Sequence, residues 1–458
     1  MPSTPTASLE RRLGPLDAAA IVVSNVIGGG IFFVPPIVAQ LVPGAAPALG
    51  VWLLGGLLAL AGAMAYAELA ALRPRAGAEY VYLREAYGPM AAFLTGWTSF
   101  VAGFSGAIAA SAIGLAEYLG RFLPAAADAT PLLTLPLPGI ALVVSRRSLV
   151  ALAAIAALCV VHVRGLGPGR LVQNTLAGLK VSGLVVFVAL GLSIGHAGAS
   201  SVPAPTLAGA SLLSGVLMAL IPVMFTYSGW NAAAYVAEEI RDPGRNVPIA
   251  LALGTSVVIV IYLALNYLYI STLGVAGLAA TEGSLIDRVA ERLFAANAGD
   301  IVGLFTVVSI AASISAMTFA GPRVYYAMAQ DGLFPPAAAR IHARFRTPAV
   351  AIVAQSIWSG VLVMSGTLVQ LVSYTGFALV LFSGVAVAGL FVLRWRQPNA
   401  VRPFSACGYP LAPALFVVAA AAMLINEVTS RPGPALAGAA IILAGLPIYF
   451  YYSRRNRT

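Results

Sequence analysis

Charge is scarce in this chain. Of 458 residues, 9% are Asp, Glu, Lys or Arg and 60% are hydrophobic, and the mean hydropathy is +0.91. No soluble domain of this size hides so much apolar surface, so the composition implies an all-α, polytopic membrane protein. Cysteine is nearly absent. Cys159 and Cys407 are too few for a disulfide framework and read as free thiols. The three histidines, His162, His196 and His342, do not cluster with cysteine or carboxylate at metal-ligand spacing, so neither a metal nor a cofactor is expected. They fall at span ends or in loops, where surface positions are expected. Lysine occurs once, at Lys180, and the spans offer no other ionisable group at mid-membrane depth. A membrane-embedded enzyme would need a nucleophile, an acid–base pair or a metal there. The formal charge of +10 does not point to nucleic acid, because the arginines fall in short loops between apolar spans.

Twelve apolar stretches are long enough to cross a bilayer. They are Leu16–Leu41, Ala46–Leu72, Pro89–Leu119, Ser148–Val163, Leu171–Ile194, Leu212–Ala237, Pro248–Leu273, Asp300–Ala329, Ala349–Met364, Thr367–Leu393, Leu411–Val428 and Ala435–Tyr452. Arg11 and Arg12 precede the first as they would a signal peptide. That run is too long for one, carries glycines where the apolar core should be, and leads into further spans, so it is expected to be a transmembrane helix. Pro131–Val144 is apolar but holds Pro136 and Pro138, and reads as a surface or re-entrant segment. Thr281–Phe294 places Leu285, Ile286, Val289, Leu293 and Phe294 on one helical face, which suits a short amphipathic helix over the outer mouth. With the N-terminus inside, 18 arginines face the cytoplasm and 6 face outward, with Arg323 uncounted. The positive-inside rule then puts both termini in the cytoplasm.

The chain is organised around Asn25-Val26-Ile27-Gly28-Gly29-Gly30-Ile31-Phe32. Three adjacent glycines in a helix interior cost roughly 0.5–1 kcal/mol each relative to alanine, which favours an unwound backbone. Within hydrocarbon such backbone survives only where it is buried in protein or lines a watery cavity. Its freed amides can meet an anion and its carbonyls a cation. A second interruption, Phe225-Thr226-Tyr227-Ser228-Gly229-Trp230-Asn231, lies in the sixth span behind Pro222, which removes a backbone donor. Broken helices at matching positions in two groups of five are the mark of inverted repeats around a midplane site.

These stretches, with Arg75-Ala76-Gly77-Ala78-Glu79-Tyr80-Val81-Tyr82, the run from Tyr235 to Pro243 and the run from Gly321 to Gly332, resemble the amino acid–polyamine–organocation (APC) superfamily. Within it they are similar to bacterial relatives of the L-type amino acid transporters, over nearly the whole chain. The resemblance implies a leucine-transporter-type 5+5 inverted-repeat fold of about twelve helices, with the first and sixth unwound mid-membrane. Residues 1–15 would be a cytoplasmic tail, 16–195 and 205–395 the two repeats, and 410–458 two peripheral helices with a tail. It implies transport, not enzymatic chemistry: alternating-access movement of an amino acid, by exchange or with protons, across the cytoplasmic membrane.

By the same resemblance, the substrate carboxylate would meet the amides of Gly29, Gly30 and Ile31. Its ammonium would meet carbonyls of Val26 or Ile27, near Gly28, and of Phe225 and Ser228. Gly29 stands where many relatives carry serine or alanine, so a hydroxyl contact is lost and backbone alone remains. Phe225 resembles an aromatic gate, or is a packing aromatic. Ala102, Gly103, Gly106, Ser228, Asn231 and Ser315 would form the side-chain wall, Asn231 serving either substrate or helix packing. No acidic residue is expected there, and a buried unpaired cation is costly, so neutral amino acids are favoured over basic ones or polyamines.

Lys180 lies nine residues into the fifth span, about 14 Å deep at 1.5 Å per residue, too far for its side chain to snorkel out in full. In relatives with lysine at this point the ammonium replaces a sodium ion. Here its partners would be the Gly28 carbonyl and Ser313 or Ser315, making transport sodium-independent. Relatives that pair with a glycoprotein use a cysteine between the third and fourth spans. The loop from Gly120 to Arg147 has none, so no disulfide-linked heavy chain is expected and a monomer is. Glu238, Glu239, Arg241, Asp242 and Arg245 form either a charge network closing the cytoplasmic side or a solvated helix end. A non-transporting sensor or channel on the same fold is the competing class.

Overall fold

The structure, a computed structural model, describes residues 9–137, 140–194, 212–281, 285–294, 298–365, 368–430 and 432–455. Helices α1 (Pro15–Val26) and α2 (Gly30–Leu41) form one bent pair, turned by 52° at the glycine run. Then follow α3 (Ala45–Leu72), α4 (Glu79–Tyr87) and α5 (Pro89–Thr98), which passes through a π-helical turn at Ser99–Gly103 into α6 (Phe104–Leu119). After a ribbon of two strands come α7 (Arg146–Val163), α8 (Leu166–Ile194), α9 (Leu212–Thr226), α10 (Ala232–Tyr235) and α11 (Pro243–Ala279). The chain ends with α12 (Leu285–Phe294), α13 (Ala298–Ala320), α14 (Pro322–Gln330), α15 (Ala349–Ser365), α16 (Leu368–Arg396), α17 (Leu411–Ser430), α18 (Pro432–Leu443) and α19 (Gly445–Arg455).

Among the described residues nine helical segments are long and apolar enough to cross a membrane, or ten if α1 and α2 are one span, with α9 and α15 as shorter apolar helices. The protein is therefore an all-α, multi-pass membrane protein. The segment from Gly299 to Gln330 is 67% buried over its most apolar window and α3 61%, whereas α7 and α17 are only 22% buried, so the former are central and the latter peripheral. Exposed Leu171, Val185 and Leu190 on α8, with Val418 and Ile425 on α17, are the side chains a lipid-facing helix needs.

The stretch read as a surface or re-entrant segment is an exposed antiparallel ribbon, β1 (Pro131–Leu137) with β2 (Ile140–Ser145), registering Pro131 with Ser145 and Leu137 with Ile140. Prolines bar a helix there but are tolerated at strand edges, and Ile140, Val143 and Val144 favour extended backbone. The amphipathic helix appears as α12, with Leu285, Ile286, Val289 and Ala290 buried.

The two interruptions lie against each other. A Cβ built on Gly30 would sit 2.9 Å from the Thr226 hydroxyl and 3.2 Å from its Cα, so the start of α2 abuts the end of α9 at glycine distance. In return Gly229, at φ +100°, packs on Asn25, where a side chain would be both strained and obstructed. The same construction on Gly29 meets only the Phe33 ring, at 3.5 Å. Gly30→Ala is therefore expected to cost about 1–3 kcal/mol through forced displacement, while Gly29→Ala leaves the fold intact. Thermal melts of the two purified variants check this, and equal melting temperatures would count against the contact.

Candidate functional site

The glycine run leaves the backbone partly open. Val26, Ile27, Ile31 and Phe32 are buried, whereas Gly28, Gly29 and Gly30 are half-exposed. Because α2 begins here, its first amides have no carbonyl one turn back. Those of Gly29, Gly30 and Ile31 meet no backbone acceptor among the described residues. They lie at the positive end of a helix dipole and suit a carboxylate.

The carbonyls of the same break are differently disposed. Val26 accepts from the Gly28 amide at 2.8 Å and lies 3.0 Å from the Tyr262 hydroxyl. Ile27 accepts from Lys180 and lies 3.0 Å from the Ser313 hydroxyl. A carbonyl oxygen has two lone pairs. Both oxygens expected at the substrate ammonium are thus already met by protein donors.

Lys180 is fully buried on α8. Its ammonium donates to the Ser24 carbonyl at 3.2 Å, to the Ile27 carbonyl and to the Ser313 hydroxyl at 3.0 Å. Three N–H donors find three acceptors, so the cation bridges α1, α8 and α13. Its carbonyl partners are Ser24 and Ile27, not the Gly28 expected, because α1 ends at Val26 and turns these two oxygens toward α8. Ser315 is not a partner either. Its hydroxyl lies 2.9 Å from His162 Nε2, and His162, expected at the surface, is buried against Phe319.

At the second break α9 stops at Thr226, the chain turns through Tyr227–Asn231, and helix resumes at Ala232. Ser228 and Gly229 are half-exposed, and the Phe225 carbonyl accepts from the Ser228 amide at 3.0 Å. The Phe225 ring, half-buried, stands against Gly376 of α16. Asn231 turns away toward the loop before α4, donating to Glu79 at 2.8 Å and lying 3.3 Å from the Tyr235 hydroxyl. Ala102 and Gly103 sit in the π-helical turn, with Gly106 just beyond it in α6.

Sequence reasoning missed Tyr262. Fully buried on α11, its hydroxyl lies 3.0 Å from the Val26 carbonyl and 3.2 Å from that of Thr226, the last residue before each break. One phenol thus spans both interruptions. A tyrosine within a long apolar run carries no motif to announce this. Glu79, within the motif from Arg75 to Tyr82, likewise carries no sequence sign of its burial.

The face where the loop at 73–79 meets the end of the broken sixth span is arginine-rich and knitted together. Leu13 bridges Ile240, the Ala76 amide donates to Glu238, the Gly77 amide to the Tyr235 carbonyl, and Arg323 pairs with Glu239 at 2.7 Å with both side chains fully buried. Of the two alternatives for this charged run, Glu238 and Glu239 thus join a network, while Arg241, Asp242 and Arg245 are exposed. A cavity of about 670 Å³ near this face is lined by Arg11, Met64, Pro248 and Phe404, away from both breaks.

Comparison with known proteins agrees with this architecture. Residues 13–450 match the family model described as amino acid permease. The chain is 29% identical to human b(0,+)-type amino acid transporter 1 over 450 residues, 98% of this chain and 89% of the relative. It is 28% identical to the mouse large neutral amino acids transporter small subunit 2, over 97% of this chain and 81% of the relative. It is 27% identical to the cystine/glutamate transporter of Pongo abelii, over 98% and 87%. Matched over nearly its whole length, and built around two facing helix breaks, the chain belongs to the amino acid permease family of the APC superfamily.

Proposed function

We propose that this protein carries neutral L-amino acids across the cytoplasmic membrane by sodium-independent exchange, alternating access to a site between the two breaks. The observation that carries the reading is the pair of interruptions held in contact, Gly30 on Thr226 and Gly229 on Asn25, with Tyr262 bridging their last carbonyls. A zwitterion must replace its hydration at both ends. The amides of Gly29, Gly30 and Ile31 take the carboxylate. The carbonyls of Phe225 and Ser228 take the ammonium, while Val26, Ile27 and Gly28 shape the floor. Phe225 acts as the gate and Asn231 positions the sixth-span turn. Repeats over 16–195 and 205–395, twelve spans counting α9 and α15, and both termini in the cytoplasm complete the arrangement.

The relatives are named for b(0,+)-type amino acids, large neutral amino acids and cystine/glutamate, so family alone does not choose among side chains. Neutral cargo is favoured because Glu79, the carboxylate that touches the sixth-span break through Asn231, is buried and already accepts three donors. Sodium independence follows from Lys180, whose ammonium occupies the carbonyls of Ser24 and Ile27 with Ser313. The free cysteines Cys159 and Cys407 lie outside the loop between the third and fourth spans, which favours a chain that works as a monomer, without a disulfide-linked partner.

Purified protein alone in proteoliposomes should show counterflow of labelled neutral amino acids, undiminished when choline replaces sodium. A strict, saturable sodium requirement would sink the coupling assignment. Recovery of transport only on adding a second subunit would sink the autonomous one.

Lys180→Ala leaves two carbonyls and the Ser313 hydroxyl short of a donor, at roughly 1–3 kcal/mol, in whichever state had used them. Only a difference between states shifts an alternating equilibrium. Binding should therefore survive in folded Lys180→Ala protein, with exchange falling about tenfold or more. A purely stabilising lysine predicts low yield and a lowered melting temperature instead, and wild-type exchange in well-folded variant protein would refute the role.

A further inference from the structure

Among the described residues three carboxylates are buried, Glu68, Glu79 and Glu239. Two have their guanidinium: Glu68 is held by Arg394 at 2.6 Å and Arg402 at 3.2 Å, and Glu239 by Arg323 at 2.7 Å. Glu79 has none. Its Oε1 accepts from the Tyr66 hydroxyl at 2.6 Å and from Asn231 at 2.8 Å, and its Oε2 from the Tyr235 hydroxyl at 2.8 Å. All three donors are neutral.

The groups around it supply no hidden counter-ion. Tyr82, Tyr66, Tyr235 and, behind it, Tyr325 are phenols. On the elements packed against α4, Arg394 and Arg323 are committed as above, Arg396 donates to the Ala86 carbonyl, and α5 carries no ionisable residue. On α4 itself and its loop, Arg84 pairs with Asp331, Arg73 with Glu85, and the exposed Arg75 acts on Tyr80 and Tyr326. Glu238 accepts the Ala76 amide.

The position gives this cage its meaning. Glu79 opens α4, while Tyr235 belongs to the inner piece of the broken sixth span and Asn231 caps the start of that piece, so the carboxyl joins the loop at 73–79 to a segment that must move if the site is to open on that side. We propose that Glu79 is a reversible proton site that governs this face: taking up a proton locks the inner piece of the sixth span against the loop, and releasing it lets the two part.

An ionised carboxylate buried without a cation loses hydration that neutral donors restore only in part. Burial accordingly pushes the Glu79 carboxyl above its ordinary range, and the three donors pull it back incompletely. Once the face opens, water reaches the carboxyl and its ordinary affinity for protons returns. The closed state therefore binds the proton more tightly, so acid favours closure and alkali favours opening. The neutral acid fits the same cage, with Oε1 still accepting two donors and the Oε2 hydroxyl donating to the Tyr235 oxygen. The proton comes from the aqueous phase at the arginine-rich face and returns to it, and no other bond changes.

The inference rests on the transport reading for its kinetic consequence and not for the protonation itself, so both are measured. Exchange by the full-length protein in proteoliposomes should fall about tenfold as the pH drops from about 8 to about 5. E79Q, a neutral isostere that preserves the cage, should be slow and flat across that range. Infrared difference spectra of wild type against E79Q, which need no transport, should show a protonated carboxylic acid growing in over the same interval. Should E79Q fail to fold, Tyr235→Phe removes a donor to the charged form and should move the wild-type midpoint upward. A wild-type pH profile in folded E79Q, an unmoved midpoint in Tyr235→Phe, or a carboxylate ionised throughout would each overturn the proposal. Wild-type protein that exchanges nothing defeats the transport reading and leaves the infrared titration to decide the proton site.

Discussion

The constraint on which the structure depends is that a helix broken within an apolar environment must still satisfy the backbone groups it frees. At the first break the carbonyls of Ser24, Val26 and Ile27 are met from three directions, by Lys180 on α8, Ser313 on α13 and Tyr262 on α11. Each donor is buried and sits on a long helix that fixes its position. The break is thus a rigid arrangement rather than a frayed end. It also explains why helices from distant parts of the chain converge there: without them the interruption at Gly28–Gly30 would leave bare oxygens in low dielectric.

The same accounting extends to the arginine-rich face. Arg323 and Glu239 are both fully buried, a pairing that breaks even only when geometry and extra hydrogen bonds are good. Here the guanidinium also donates to the Phe319 carbonyl and lies 4.1 Å from the Phe319 ring centroid. Glu68 collects two arginines and the Ala406 amide, tying α3 to the end of α16 and the loop before α17. These ion pairs cross between segments far apart in sequence, so closure of this face is specified by charge as well as by packing.

What could be read beforehand follows from what leaves a local trace. Helices and their apolar lengths are written in composition, and the breaks in glycine and proline, which act on their own backbone. Lys180 was legible because one lysine in an apolar span has nowhere else to go. Its partners were off by one residue at Gly28, and Ser315 turned out to serve His162, because which carbonyl faces a neighbouring helix depends on where α1 ends. Tyr262, Glu79 and buried His162 were illegible for one shared reason: each acts through residues 13 to 236 positions away, and a single polar residue in an apolar or loop context carries no periodicity. The stretch read as a surface or re-entrant segment is an exposed ribbon, in keeping with the first alternative, but its strands were not legible, since prolines exclude helix without saying what replaces it.

One asymmetry ties the site to its proposed use. At the first break the carbonyls of Ser24, Val26 and Ile27 are taken, while the amides of Gly29, Gly30 and Ile31 meet no backbone acceptor among the described residues, so under the transport reading that segment answers the anionic end of a zwitterion. Under the transport reading the ammonium is left the oxygens of the second break, those of Ser228 and of Phe225, the latter already accepting the Ser228 amide through one lone pair. A molecule carrying both charges must then bridge α2 and the turn after α9, whereas one lacking either charge can hold only one of them. Since those two segments already touch through Gly30 and Thr226, under the transport reading the bound zwitterion adds a second link between elements that must move together. Selectivity for the amino acid backbone and coupling of the two broken helices then arise from the same few backbone groups, before any side chain of the substrate is examined.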